Sequence, residues 1–231
     1  MKAVILAGGL GTRLMPLTQV IPKPLLPVGE YSVLEISINK LKECGFDDII
    51  IATNYKSYMF ESYFGDGSKF GIKITYSREK EPLATAGPLR LLKENLDEPF
   101  LVIYGDILTS LDFRKLKEFH TSNKADFTLV TKETEFPISY GVIKSEGNVI
   151  KGVEEKPEMK TQINAGIYFI SPKVLDEIPA GFFQMTDLVK KLISQGKRVM
   201  KYELDGYWLD IGQMQDYEKA QKDVEEGTLK I

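Results

Sequence analysis

The stretch AGGLGTRLMPLTQVIPKPLLPVG (7–29) packs glycines and two cations close together. Gly8, Gly9 and Gly11 let backbone N–H groups approach an anion closely. Arg13 ends the glycine run, and Lys23 stands between Pro22 and Pro24, which stiffen the chain on either side of it. A stiff loop that returns a cation over a glycine cradle suits a polyphosphate. Two familiar phosphate loops do not fit. The pattern G-x-x-x-x-G-K-[ST] is missing, and G-x-G-x-x-G begins at Gly9-Leu10-Gly11 but fails at Leu14. Taken alone, the loop also reads as a surface turn with solvated charges.

Other chemistry-bearing residues are few. Asp106 follows the apolar run FLVIY, and a carboxylate at the C-terminal end of a strand is placed to hold Mg²⁺. Lys156, in EEKP, reads by itself as half of a surface ion pair. His120 ends the pattern FRKLKEFH and reads as a solvated cation at a helix C-terminus. Cys44 reads as a small apolar filler, and a lone cysteine forms neither an intramolecular disulfide nor a cysteine metal cluster. Trp208 reads as packing behind Asp210. The aromatics of YMFESYF (58–64) read as core or subunit contact.

The elements that must position these residues follow from periodicity. KAVILA (2–7), DIIIAT (48–53) and FLVIYGD (100–106) are short apolar runs, the pattern of buried strands. Between them VLEISINKLKECG (33–45), YMFESYF and AGPLRLLKENL (86–96) read as helices, and IKITYS (72–77) as a strand. Strand and helix alternate, which predicts an α/β fold with a parallel sheet. Ligands bind at the C-terminal ends of such strands, which is where the glycine loop departs. The second half predicts strands at 126–133, 140–145, 148–157, 164–171 and 197–204, with a hairpin at Glu146-Gly147. It also predicts a helix over 185–196, with Thr186 or Asp187 near its N-cap, and a polar helix over 214–226. No linker or repeat divides the 231 residues, so one domain is expected.

Hydrophobic residues make up 43% and charged residues 27% of the chain, with a formal net charge of −3. That balance points away from nucleic acid and anionic membranes as partners. The first apolar stretch reads as too short for a signal peptide and no run approaches the length of a membrane span, so a cytoplasmic protein is expected.

The motifs AVILAGGLGTRLMPLT…IPKPLLPVG, EPLATAGPLRLL, FLVIYGDIL, YGVI, VEEKP, NAGIYFIS and GYWLDIGQMQDYEKA occur in order along the whole chain. Together they resemble the sugar-1-phosphate nucleotidyltransferases, particularly the mannose-1-phosphate guanylyltransferase branch. The resemblance implies a Rossmann-like three-layer sandwich around a mostly parallel central sheet, without the CBS modules or C-terminal β-helix of larger relatives. It implies attack of a sugar-1-phosphate oxygen on the α-phosphorus of an NTP, giving an NDP-sugar and pyrophosphate with Mg²⁺ as cofactor. A phosphate monoester is already largely anionic at neutral pH, so no general base is needed. The task is to bring two anions together.

By the same resemblance Arg13 and Lys23 are the catalytic cations. Leu6, Ala7, Gly8, Gly9, Gly11 and Thr12 would cradle the nucleotide, with Glu81, Pro82, Ala86, Gly87 and Asp106 completing its site. Glu81 would read the base. Asp106 and Asp210 would share the metal. Tyr104, Gly141, Glu155, Lys156, Asn164 and Gly166 would hold the sugar phosphate. GTP and a mannose-, heptose- or hexosamine-1-phosphate are the expected substrates. A uridylyl-, thymidylyl- or cytidylyltransferase, or a non-catalytic nucleotide-sugar-binding subunit, are the alternatives. The presence of Arg13, Lys23, Asp106, Lys156 and Asp210 argues against the last, and Leu14 argues against a nicotinamide-dependent oxidoreductase. The family's usual glycine is replaced by Ala84, which bears on both specificities. Relatives are commonly oligomeric, so a homo-oligomer is expected, although no sequence stripe marks an interface.

Overall fold

The structure is a computed structural model and describes residues 1–229. The strands are β1 (Lys2–Leu6), β2 (Pro27–Val28), β3 (Tyr31–Ser32), β4 (Asp48–Thr53), β5 (Lys73–Arg78), β6 (Phe100–Tyr104), β7 (Ile107–Thr109), β8 (Phe127–Pro137), β9 (Val142–Glu146), β10 (Val149–Glu154), β11 (Glu158–Ile170), β12 (Val199–Glu203) and β13 (Trp208–Asp210). The helices are α1 (Leu17–Val20), α2 (Val33–Glu43), α3 (Ser57–Phe64), α4 (Gly87–Arg90), α5 (Phe113–Ser122), α6 (Met185–Ser194) and α7 (Met214–Glu225). Seven strands form one sheet in the order β12-β8-β11-β6-β1-β4-β5. Every neighbouring pair is parallel except those made by β11, which runs antiparallel to β6 and β8.

Alternation along the central strands feeds two cores. Ala3, Ile5, Ile49, Ile51, Leu101 and Ile103 face α2, α3 and α5. Val4, Ile50, Ala52, Phe100 and Val102 face α4 and α6. With apolar residues on both faces, the sheet is covered on both sides, giving the three-layer arrangement that the sequence implied. A third cluster joins the two ends of the chain: Leu14, Leu26 and Val28 pack with Leu209, Ile211 and Ala220. Leu14, which breaks the dinucleotide pattern, is thus a fully buried core residue. Among the described residues no helix is long and apolar enough to cross a membrane.

Four expectations need correction. The predicted helix 86–96 is α-helical only over Gly87–Arg90. Beyond that the chain winds with i→i−3 bonds, such as Leu92 N to Leu89 O and Asn95 N to Leu92 O, the tighter geometry that seldom persists. The N-cap of α6 is Gln184, not Thr186 or Asp187. The distant Thr85 Oγ1 accepts from Met185 N at 2.8 Å and does the capping, a contact that local sequence does not reveal. The strand predicted over 164–171 begins earlier, at Glu158, because it pairs with β8 as far out as Pro137. Last, His120 is 2% exposed rather than solvated. Its ring nitrogens meet Thr128 Oγ1 (2.8 Å) and Ser171 Oγ (3.1 Å), and its ring packs on Phe169. Cys44 is a buried free thiol, as expected. In YMFESYF, Phe60 and Phe64 enter the core while Tyr58 and Tyr63 stay exposed.

Burial holds His120 neutral down to about 4, whereas an exposed histidine protonates near 6.5. Between those values the unfolded chain binds the extra proton, so this group subtracts stability as pH falls from 7 to 5. Urea unfolding of wild type and His120→Gln at pH 7 and 5 measures it. The variant should lose less stability over that interval, by about 2 kcal/mol. Equal losses would show that the ring is not held neutral.

Candidate active site

The loop after β1 and the loops after β4, β5 and β6 open on one cavity of about 480 Å³. Its wall includes Leu6, Ala7, Gly8, Gly9, Gly11, Thr12, Arg13, Lys23, Pro82, Tyr104 and Asp106, eleven residues that the sequence assigned. Gly11 shows why the loop takes this course. It has φ +64°, and a Cβ there would come within 2.9 Å of Thr18 Cγ2 and 3.2 Å of Lys23 Cβ. A side chain at 11 would therefore block the fold that returns Lys23 over the loop. Thr18 Oγ1 donates to Gly11 O (2.8 Å) and fixes the turn.

Lys23 Nζ donates to Asp106 Oδ2, and both side chains are largely buried. Asp210 arrives from the other end of the chain. β13 pairs antiparallel with β7 so that Asp210 stands opposite Ile107, and Ile211 N donates to Asp106 O (3.0 Å). Trp208 Nε1 donates to Ala165 O (2.9 Å) and pins β13 to the main sheet. The Arg13 guanidinium lies 3.5 Å from where a Cβ on Gly212 would stand, two residues past Asp210. The four charged groups are thus brought to one place.

Two cations and two carboxylates balance formally, but the Asp210 carboxylate is poorly solvated. Burial pushes the Asp210 carboxyl up to about 6, the charge of Asp106 adds to this, and Lys23 and Arg13 oppose it. Asp106 Oδ1 and Asp210 Oδ1 are buried and have no hydrogen-bond partner. Among the described residues no group of three or more His, Cys, Asp or Glu side chains forms a self-sufficient metal site. Two buried carboxylates with free oxygens can hold a hard divalent cation when a ligand's phosphate oxygens complete the shell.

The remaining assigned residues divide. Glu81 is exposed and does not line the cavity. Glu79 does instead: its carboxylate lies 2.8 Å from where a Cβ on Gly8 would stand, and it accepts from Leu83 N (3.0 Å). Burial raises its pKa, and bonds from Leu83 N and Asn54 oppose that. Ala86 and Gly87 are buried behind the cavity, donating to Phe183 O at 2.9 and 3.1 Å. Asn164 and Gly166 adjoin it through Tyr104. Asn164 Nδ2 donates to Tyr168 OH (2.7 Å), which donates to Tyr104 OH (3.0 Å), and Gly166 N donates to Asn164 Oδ1 (3.0 Å). Gly141, Glu155 and Lys156 are exposed on or beside the β9–β10 hairpin, outside the cavity wall. Gly141 and Glu155 are neighbours, with Glu155 Oε2 3.0 Å from where a Cβ on Gly141 would stand.

Sequence reasoning missed Glu79, Asn54, Thr85, Phe182 and Gly212, which also line the cavity. Asn54 and Glu79 each directly follow a parallel strand, β4 and β5, so the strand-end rule that located the glycine loop also locates them.

A glycine loop, paired cations and paired carboxylates thus meet at the strand ends of a doubly covered α/β sheet. The family profile described as nucleotidyl transferase matches residues 2–227, and the chain belongs to that family. It is 40% identical over 228 residues to the mannose-1-phosphate guanyltransferase of Yarrowia lipolytica, covering 94% of this chain and 62% of that protein. The chain therefore spans about three fifths of the length of the curated relatives it matches. Among solved structures, a Bacillus anthracis protein crystallised with a sucrose superposes with a TM-score of 0.80 at 31% identity, covering 96% of this chain and 94% of that one. HddC from Yersinia pseudotuberculosis, complexed with GMP-PN, gives 0.76 at 26% identity, covering 96% and 99% of the two chains.

A buried carboxylate beside another is held at a cost when no cation is bound. In metal-free protein at pH 8, Asp210→Asn should raise the denaturant midpoint, equivalent to about 1–2 kcal/mol. A lowered or unchanged midpoint would show that the pair is not under electrostatic strain.

Proposed function

We propose that the chain is a cytoplasmic, Mg²⁺-dependent sugar-1-phosphate nucleotidyltransferase. It transfers GMP from GTP to mannose-1-phosphate or a close analogue, and the chain forms one catalytic unit. The observation that carries this reading is the meeting of Arg13, Lys23, Asp106 and Asp210 beside a glycine loop.

A phosphate oxygen of the sugar-1-phosphate attacks the α-phosphorus. The bond from that phosphorus to the bridging oxygen breaks, and pyrophosphate leaves with the electron pair. The glycine loop supplies N–H groups to the phosphates, and Arg13 offsets charge on the triphosphate and on the developing five-coordinate phosphorus. Lys23, fixed by Asp106, orients the α-phosphoryl region. Asp106 and Asp210 would hold Mg²⁺, whose positive charge lowers the repulsion between the two substrates. Glu79 replaces Glu81 as the base reader: a carboxylate accepts both the ring N–H and the exocyclic amine of guanine. Tyr104, Asn164 and Gly166 bound the sugar end of the cavity. Gly141, Glu155 and Lys156 would reach the sugar phosphate from the hairpin.

Pyrophosphate release with each of GTP, ATP, UTP, CTP and dTTP against a panel of sugar-1-phosphates tests the reading. GTP with mannose-1-phosphate should turn over fastest, and no release with any pair overturns the assignment. Asp106→Asn should lower kcat by about 100-fold or more. Lys156→Ala should raise KM for the sugar phosphate by about tenfold while kcat stays within a few-fold. An unchanged KM would remove Lys156 from the sugar site.

A further inference from the structure

The cavity wall contains an exposed aromatic side chain with no evident structural reason to be there. Phe182 is 65% exposed. Its neighbour Phe183 packs against the core of α4 and α6, which directs Phe182 the other way. The backbone between them is tightly held. Phe183 N donates to Leu83 O (3.1 Å), Ala86 N and Gly87 N both donate to Phe183 O, and a Cβ on Gly87 would meet Gly181 O at 2.7 Å. Segment 181–183 is therefore a fixed rim on the loop that carries Glu79, Leu83, Ala84 and Thr85.

A second oddity lies on the same loop. Four non-glycine residues among those described have left-handed φ: Lys56, Ala84, Lys124 and Lys156. Ala84, at φ +62°, is the one that lines the cavity. A Cβ in that conformation is strained, and strain of this kind clusters where a ligand is gripped. An exposed ring and a strained methyl thus face the same space, on the Glu79 side, while the cations gather with Asp106.

We propose that Phe182, with the Ala84 methyl beside it, forms the apolar wall against which the flat ring of the nucleotide lies. Phe182 is then an affinity contact for the nucleoside half, separate from the charges that hold the phosphates. This rests on the nucleotidyltransferase reading of the cavity. An aromatic platform holds any base by its face, so Glu79 chooses among bases while Phe182 supplies affinity.

Calorimetric titration of the full chain in Mg²⁺ with GTP and, separately, with inorganic tripolyphosphate tests the wall. Tripolyphosphate carries the charges but no ring. Phe182→Ala should weaken GTP binding by about tenfold, leave tripolyphosphate within twofold, and be largely rescued by Phe182→Tyr. Ala84→Gly should raise Tm by about 2–4 °C yet weaken GTP binding, a split that a purely structural role would not give. If Phe182→Ala binds GTP as wild type does, or loses GTP and tripolyphosphate equally, the wall is refuted while the site assignment stands. If wild type binds neither probe, the site assignment itself falls, and this proposal with it.

Discussion

Two carboxylates buried within reach of each other's charge are tolerated only if positive charge is held beside them. Asp106 and Asp210 are such a pair, and the structure is arranged around that constraint. Lys23 meets Asp106 because Gly11 lets the chain fold back, and because prolines keep that return stiff. Arg13 stands near Gly212 because its neighbour Leu14 is buried with Ile211 in the third cluster. Apolar contacts a few ångströms away thus fix a charge arrangement that would not hold itself together. The unpartnered oxygens of Asp106 and Asp210 are what a divalent cation can use.

The rest of the fold serves the same geometry at longer range. Parallel strands β1, β4 and β6 end at one edge and deliver Ala7, Asn54 and Asp106 to the same cavity. The antiparallel β11 brings Asn164 and Gly166 up to Tyr104 from the other direction, so the sheet's one reversal lies beside the cavity wall. His120, although the sole histidine, is buried among Thr128, Ser171 and Phe169, and its neutrality is a packing matter rather than a catalytic one.

What could be read from the sequence was what depends on local pattern. Apolar runs announced β1, β4 and β6, and Gly8 to Gly11 announced the cradle, because backbone approach is written in residue type. Long-range pairing was less legible. Thr85 capping α6, and Glu79 rather than Glu81 facing the cavity, depend on how separate segments dock. His120 was misjudged for a related reason: its position at a helix end suggested solvent, but Thr128 and Ser171 close over it from other elements. Ala84 was noticed only as a departure from a family habit, and its positive φ gives that departure a physical meaning.

The third cluster ties residues 14–28 to residues 209–220. During synthesis on the ribosome, the glycine loop emerges long before Ile211 and α7 arrive to seat it. A nascent chain that has completed most of its central sheet still lacks Asp210 and the support behind Arg13.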